Sequence, residues 1–262
     1  MSTVLYERSG HVATMTLNRP QALNAINREM AARLAECWQI FRKDANARVA
    51  IITGSGERAF SAGADLKEMA EHGTMVAGGG AADFLERAEP GSFGLSNLYK
   101  PVIAAVNGHC LAGALEMALA CDIRICSENA SFGLPEVSRG IMPLAGGSQR
   151  LPRLVPFSMA MQMMLSGKPI DATEALRTGL VNSVVPLADL LTVARQLAET
   201  IAANAPLAVK ATKEAAVRGV DLPLSEGLRV ENLLARVVEG TEDSKEGPRA
   251  FAERRAPHYQ GR

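Results

Sequence analysis

Two glutamates, Glu116 and Glu136, stand in segments otherwise made of small and apolar residues. Glu116 closes the run Leu111-Ala112-Gly113-Ala114-Leu115-Glu116 and is followed by Met117, Ala118, Leu119 and Ala120. In a helix it would lie one turn after Gly113. A carboxylate in so apolar a stretch is costly to bury without partners. It is therefore either a working acid or base, or a structural group bonded to backbone amides. Glu136 ends Ser131-Phe132-Gly133-Leu134-Pro135-Glu136, and Gly140-Ile141-Met142-Pro143 and Ala145-Gly146-Gly147-Ser148-Gln149-Arg150-Leu151 follow. Pro135 argues against a helical turn here, so Glu136 is expected at a turn or strand edge. A Gly-Gly pair just before a helix start allows close backbone approach.

A third segment, Ala59-Phe60-Ser61-Ala62-Gly63-Ala64-Asp65-Leu66-Lys67-Glu68, suits a different task. Its small residues let backbone come near a ligand, and Asp65 has the chemistry to cap a helix running through Lys67 and Met69. A helix N-terminus reached through such a turn offers free N–H groups to a developing oxyanion. Gly113 repeats the arrangement after Pro101 to Val106 and the turn Asn107-Gly108. Taken alone, either segment also reads as an ordinary strand-to-helix turn.

The elements that must position these groups are visible as periodicity. Tyr6 to Leu17 alternates around a Ser9-Gly10 turn and reads as a hairpin. Asn27 to Lys43 sets Met30, Leu34, Cys37, Trp38 and Phe41 at helical spacing. Val49 to Thr53, Val102 to Val106 and Asp122 to Cys126 are apolar runs with the look of buried strands. Their alternation with helices predicts βαβ units and parallel strands, an α/β fold. From Leu187 the pattern turns almost wholly helical: Val193 to Asn204, Leu207 to Arg218, Leu224 to Glu239 and Glu242 to Arg254. An α/β core over 1–190 and a helical region over 191–262 are expected. Gly73 to Gly91, with a triple glycine and no periodicity, reads as a mobile surface segment.

Composition narrows the chemistry. The 262 residues are 47% hydrophobic, enough for a sizeable core. The 28 basic and 28 acidic residues balance, so no long-range field points to nucleic acid or an anionic membrane. Cys37, Cys110, Cys121 and Cys126 have no metal-binding spacing and read as reduced core residues. No secretory pattern opens the chain and no apolar run approaches the roughly 18 residues of a membrane span. A cytoplasmic protein is expected.

The segments "FSAGADLKEM", "PVIAAVNGHCLAGALEMALACDIRI" and "ASFGLPEVSRGIMPLAGGSQRL" resemble, in order and spacing, the crotonase superfamily, also called the enoyl-CoA hydratase/isomerase family. The likeness runs nearly end to end. It implies a ββα spiral core with a C-terminal helical oligomerisation region, assembled as trimers that pair into hexamers. The implied substrate is an acyl-CoA thioester, with no metal or redox cofactor. Backbone N–H groups at the positions matching Ala64 and Gly113 would bind the thioester oxygen, worth about 3 kcal/mol per donor in comparable oxyanion holes. Glu116 would activate or expel water at the β-carbon, and Glu136 would move the proton at the α-carbon.

By the same resemblance, Ala62 and Ala64 to Lys67 (with Asp65 and Leu66 between) line the ligand path. Ala22, Leu23 and Ala25 lie near the nucleotide, and Arg254 matches a basic position that reaches the CoA of a neighbouring subunit; Lys67 reads equally as a point charge for a phosphate and as a solvated helix charge. Three departures stand out: Ala112 and Ala114 flank Gly113 where glycines are frequent, His109 follows Asn107-Gly108, and Leu144 replaces a frequent glycine near the catalytic water. His109 reads as a satisfied structural histidine. Reversible hydration of a trans-2-enoyl-CoA is the leading expectation. Dehydration of a carnitinyl-CoA-type thioester, double-bond isomerisation in the same site, and a non-catalytic RNA-binding role are the alternatives.

Overall fold

The computed structural model describes residues 2–72, 93, 95 and 97–262. The glycine-rich stretch Gly73 to Gly91 lies outside these residues. The chain opens with strands β1 (Val4–Ser9) and β2 (Val12–Leu17), paired antiparallel from Val4↔Leu17 to Ser9↔Val12 as the alternation predicts. Helix α1 (Arg28–Lys43) follows, its N-cap Asn27 accepting from the Met30 N–H at 2.9 Å. It buries Met30, Leu34, Cys37, Trp38 and Phe41, the apolar stripe of the sequence.

The next part is three turns of one motif. Strand β3 (Val49–Gly54) leads to β4 (Ala59–Ser61) and helix α2 (Leu66–His72). Strand β5 (Val102–Val106) leads to β6 (His109–Leu111) and helix α3 (Gly113–Ala120). Strand β7 (Ile123–Ser127) leads to β8 (Ser131–Gly133) and a single 3-10 turn, Glu136–Arg139. The repeat is therefore ββα, as the family resemblance implies, and not the βαβ read from periodicity. The extra strands are three residues long, too short to show a period.

The long strands form one sheet and the short ones another. Helices α4 (Gly147–Leu154) and α5 (Phe157–Ser166), strand β9 (Ile170–Asp171), helix α6 (Ala172–Arg177) and strand β10 (Ser183–Val185) complete both. The six-stranded sheet runs β1-β2-β3-β5-β7-β10, parallel except at the hairpin. The four-stranded sheet runs β4-β6-β8-β9, with β8 and β9 antiparallel.

Both faces of the large sheet are covered, which is why β3 is buried throughout and apolar except for Thr53. Ala50 and Ile52 face the main core with Trp38 and Phe60, while Val49 and Ile51 face helix α7 (Leu190–Ala202). Leu190, Ala194, Ala198 and Ala202 of α7 recur at one-turn spacing, and the three alanines let the helix sit close to the sheet. All four cysteines are free and buried.

Helices α8 (Pro206–Gly219), α9 (Leu224–Glu239) and α10 (Glu242–Ala252) end the chain. Lys213 fastens α8 to the core through Asp122 at 2.8 Å and the Lys100 carbonyl at 3.0 Å. Helices α8 and α9 bury no residue. Val217, Leu224, Leu233 and Val237 are exposed on them, as is Val220 at the C-cap of α8, and Phe251 of α10 is 87% exposed. The predicted last helix stops before Arg254, which adopts φ 53° beyond its end.

Candidate active site

Each ββα turn delivers one working segment to the ends of the short strands, so the site follows from the repeat. After β4, the chain bonds to the Leu23–Ile26 segment. Ala62 N–H donates to the Leu23 carbonyl (3.0 Å), Ile26 N–H to the Gly63 carbonyl (2.8 Å) and Asp65 N–H to the Ile26 carbonyl (3.0 Å). This bridge uses the groups on either side of Ala64 and passes over the Ala64 N–H itself. Asp65 caps α2 as expected, accepting from the Lys67 and Glu68 amides at 3.3 and 3.5 Å. Arg19 bonds the other carboxylate oxygen at 3.0 Å and holds Asp65 below the usual carboxylate range.

After β6, Ala112 takes φ 53°, ψ −130°, a conformation that costs a non-glycine residue about 1–3 kcal/mol. It rests there because its N–H donates to the Gly133 carbonyl of β8 at 2.9 Å while its carbonyl accepts from Glu116 N–H at 3.1 Å. Gly113 is thereby the first residue of α3, and its N–H is one of the helix's unpaired donors. The two donor segments abut. A Cβ on Gly63, at φ +85°, would sit 2.7 Å from the Ala112 Cβ and 3.2 Å from the Gly113 nitrogen. Neither Ala64 N–H nor Gly113 N–H has a hydrogen-bond acceptor among the described residues.

Glu116 projects from the first turn of α3 and is 3% exposed. Its Oε1 accepts from the amides of Ala145 (2.7 Å) and Gly147 (2.8 Å). Glycine at 147 allows this close approach: a Cβ there would lie a tight 3.0 Å from both Cγ and Oε1 of Glu116. Thus one oxygen is the backbone-bonded structural carboxylate allowed by the sequence, while Oε2 lies on the Gly113 side, 3.9 Å from where a Gly113 Cβ would be. Burial raises the Glu116 pKa, opposed by those two amides and by the charge of Arg150.

Glu136 opens the 3-10 turn, with Pro135 as its N-cap. Pro135 does not prevent this turn, because a proline at the cap interrupts no helical hydrogen bond. Glu136 is 6% exposed, and its Oε2 is a buried oxygen with no hydrogen-bond partner among the described residues. Burial pushes its pKa up to about 7; its own backbone amide lowers it and the charge of Glu116 raises it further.

A cavity of about 1060 Å³ joins these groups. Ala22, Leu23, Ala25, Ala62, Ala64, Asp65, Leu66, Lys67, Gly113, Glu116, Glu136 and Leu144 all line it. Arg254 does not. Leu144 is 52% exposed, at the rim. His109 bonds Ser131 at 2.8 Å through Nδ1, the structural tie expected of it. Reading the sequence missed Arg19, Phe93, Arg139, Ile141 and Met142, which also line the cavity. Arg139 had a signal, since it stands one 3-10 turn after Glu136. Arg19 had none, because its role depends on Asp65, 46 positions away.

The profile of the Enoyl-CoA hydratase/isomerase family matches residues 7–262. The chain belongs to that family. Among enoyl-CoA hydratase/isomerase family proteins, (E)-benzylidenesuccinyl-CoA hydratase of Thauera aromatica is 47% identical over 98% of this chain and 99% of its own. Carnitinyl-CoA dehydratase of Salmonella typhi is 44% identical over 97% of each chain. The crystal structure of an enoyl-CoA hydratase/isomerase from Mycobacterium paratuberculosis superposes with TM-score 0.92 at 37% identity, covering 99% of each chain. That of enoyl-CoA hydratase from Bacillus anthracis gives 0.88 at 38% identity, over 99% of this chain and 100% of that one. The fold is the one these crotonase-type enzymes share. Among the described residues no helix is long and apolar enough to cross a membrane, and no group of three or more His, Cys, Asp or Glu is placed to hold a metal.

Proposed function

We propose that this protein is a CoA-thioester hydro-lyase that adds water reversibly across the 2,3-double bond of an enoyl-CoA. The observation that carries the reading is the pair of buried carboxylates facing one cavity beside two unused backbone donors. In hydration the water oxygen forms its bond to C3 while giving a proton to Glu116. The π electrons move into the thioester, whose enolate oxygen is held by the Ala64 and Gly113 amides. Protonated Glu136 then supplies the proton to C2. Dehydration runs the same steps backwards, and a shared water returns the proton between the carboxylates after each turnover. One carboxylate would suffice to shuttle a proton in an isomerisation, so the intact pair favours water chemistry. Lys67 and the Ala22–Ala25 segment are assigned to the CoA side.

The proton count fixes the pH dependence. Hydration consumes no net proton, so both directions require the carboxylate pair to hold one proton and must share a single kcat/KM profile. Glu136, at about 7, sets the upper limb for the pair. We expect kcat/KM on the best of a panel of trans-2-enoyl-CoA and 3-hydroxyacyl-CoA thioesters to fall in both directions as pH rises above about 7. A flat profile from neutrality to pH 9, or no turnover of any member of the panel, would count against the mechanism.

The exposed apolar side chains of α8, α9 and α10 are assigned to contacts between subunits. Sedimentation is expected to show trimers or hexamers. Replacing Leu224, Leu233 and Val237 together with glutamate should shift the protein to monomers; a wild type that sediments as a monomer would refute the assignment.

A further inference from the structure

Among the described residues, six charged ones line the cavity: Arg19, Asp65, Lys67, Glu116, Glu136 and Arg139. Arg19 is committed to Asp65 and to the Ala25 carbonyl, at 3.0 and 2.6 Å. Lys67 stands on the α2 side, with Ala22 to Ala25. Arg139 stands apart from both, on the turn that carries Glu136 and next to Ile141 and Met142 of the cavity wall. In a 3-10 turn the side chains at i and i+3 eclipse, so Arg139 and Glu136 share a face.

The Arg139 guanidinium is held by one nitrogen. Its Nη1 donates to the Pro135 carbonyl at 3.1 Å and to Ser138 Oγ at 2.9 Å. Among the described residues no carboxylate forms an ion pair with it, which leaves the Nε and Nη2 donors for a ligand. For a thioester whose oxygen lies at Ala64 and Gly113, and whose C2 and C3 lie between the two glutamates, this turn is a part of the cavity wall within reach of the rest of the acyl group. We propose that Arg139 is a specificity-determining residue that receives a carboxylate carried by the acyl group, so that the preferred substrate is the CoA half-thioester of an unsaturated dicarboxylic acid. A planar fork already fixed at one nitrogen suits a carboxylate. It repels an acyl group ending in a quaternary ammonium, which separates this substrate class from a carnitinyl-type one.

The inference rests on the hydro-lyase reading, and a matched series tests the two separately. The probes are trans-2-butenoyl-CoA bearing at C4 a hydrogen, a carboxylate or a trimethylammonium group. For each, kcat/KM and Kd are measured with wild type, Arg139→Lys and Arg139→Gln. Wild type is expected to favour the carboxylate probe over the neutral one by at least about tenfold, and to disfavour the ammonium probe. Arg139→Gln should reduce the carboxylate-to-neutral ratio by about 10- to 100-fold, and Arg139→Lys should retain part of it. Because the readout is a ratio, a general loss of activity or of folded protein does not mimic the effect. A wild type that favours the neutral or ammonium probe, or a ratio unchanged in Arg139→Gln, overturns the role of Arg139 and leaves the hydro-lyase intact. Failure to turn over any of the three overturns the parent reading, and the Kd ratios then decide the carboxylate preference alone.

Discussion

Glu136→Gln is expected to lose about 100- to 10,000-fold in kcat while becoming more stable, and the combination is the informative result. The catalytic loss follows because glutamine neither gives nor takes the C2 proton. The stability gain follows from linkage. Glu136 is pushed from an ordinary 4.5 to about 7 in the folded protein, so the native state holds a proton that the unfolded chain has released between those values. Wild-type stability therefore falls as pH rises through that window, by up to about 3 kcal/mol once above it. Glutamine, with no charge to bury, escapes this cost. Its advantage should be largest near pH 8 and shrink as pH falls toward 4.5. Glu116→Gln should match the catalytic loss with a smaller gain, since its Oε1 already accepts two amides. Turnover together with denaturant unfolding at pH 5 and 8 checks both. Near wild-type rates in either variant would end the two-carboxylate mechanism.

Gly63→Ala is expected to cost about 2–5 kcal/mol of stability and about 100-fold in kcat, although it touches no titratable group. Part of the cost is the left-handed backbone at φ +85°, about 1–2 kcal/mol for an alanine. The remainder is collision, because the new methyl would lie 2.7 Å from the Ala112 Cβ and 2.8 Å from the Leu111 carbonyl oxygen. Relief requires the segments carrying Ala64 and Gly113 to part, and an oxyanion hole works only while its donors stay aimed. Gly10→Ala is the control. Gly10 has a similar φ of +58°, but nothing lies within 4 Å of its added Cβ, and the hairpin turn is not part of the cavity. It should lose about 1–2 kcal/mol and keep its rate. If Gly63→Ala behaves like Gly10→Ala in unfolding and in turnover, the abutment is not what holds the donors.

Much of the fold is legible in the sequence because it depends on local pattern. Period-two alternation locates the hairpin, the 3.6 period locates α1, unbroken apolar runs locate β3 and β5, and a run with Ile123, Ile125 and Cys126 locates β7. The helical C-terminal region was legible in the same way, to within two residues at Arg254. The short strands Ala59–Ser61, His109–Leu111 and Ser131–Gly133 were not, since three residues carry no period. They are nonetheless what brings the three working segments to one edge.

The chemical inventory is written in the chain: two carboxylates in apolar company, small residues where backbone must approach, and motifs shared with a family. What those groups can do depends on the fold. It bonds one oxygen of Glu116 to Ala145 and Gly147, leaves Oε2 of Glu136 without a partner among the described residues, and presses Gly63 against Ala112. It also places Arg139 beside Glu136 on the cavity wall. Side-chain types and spacings are written in the chain. The pKa of a carboxylate, the aim of an N–H and the free donors of an arginine depend on neighbours that only folding supplies.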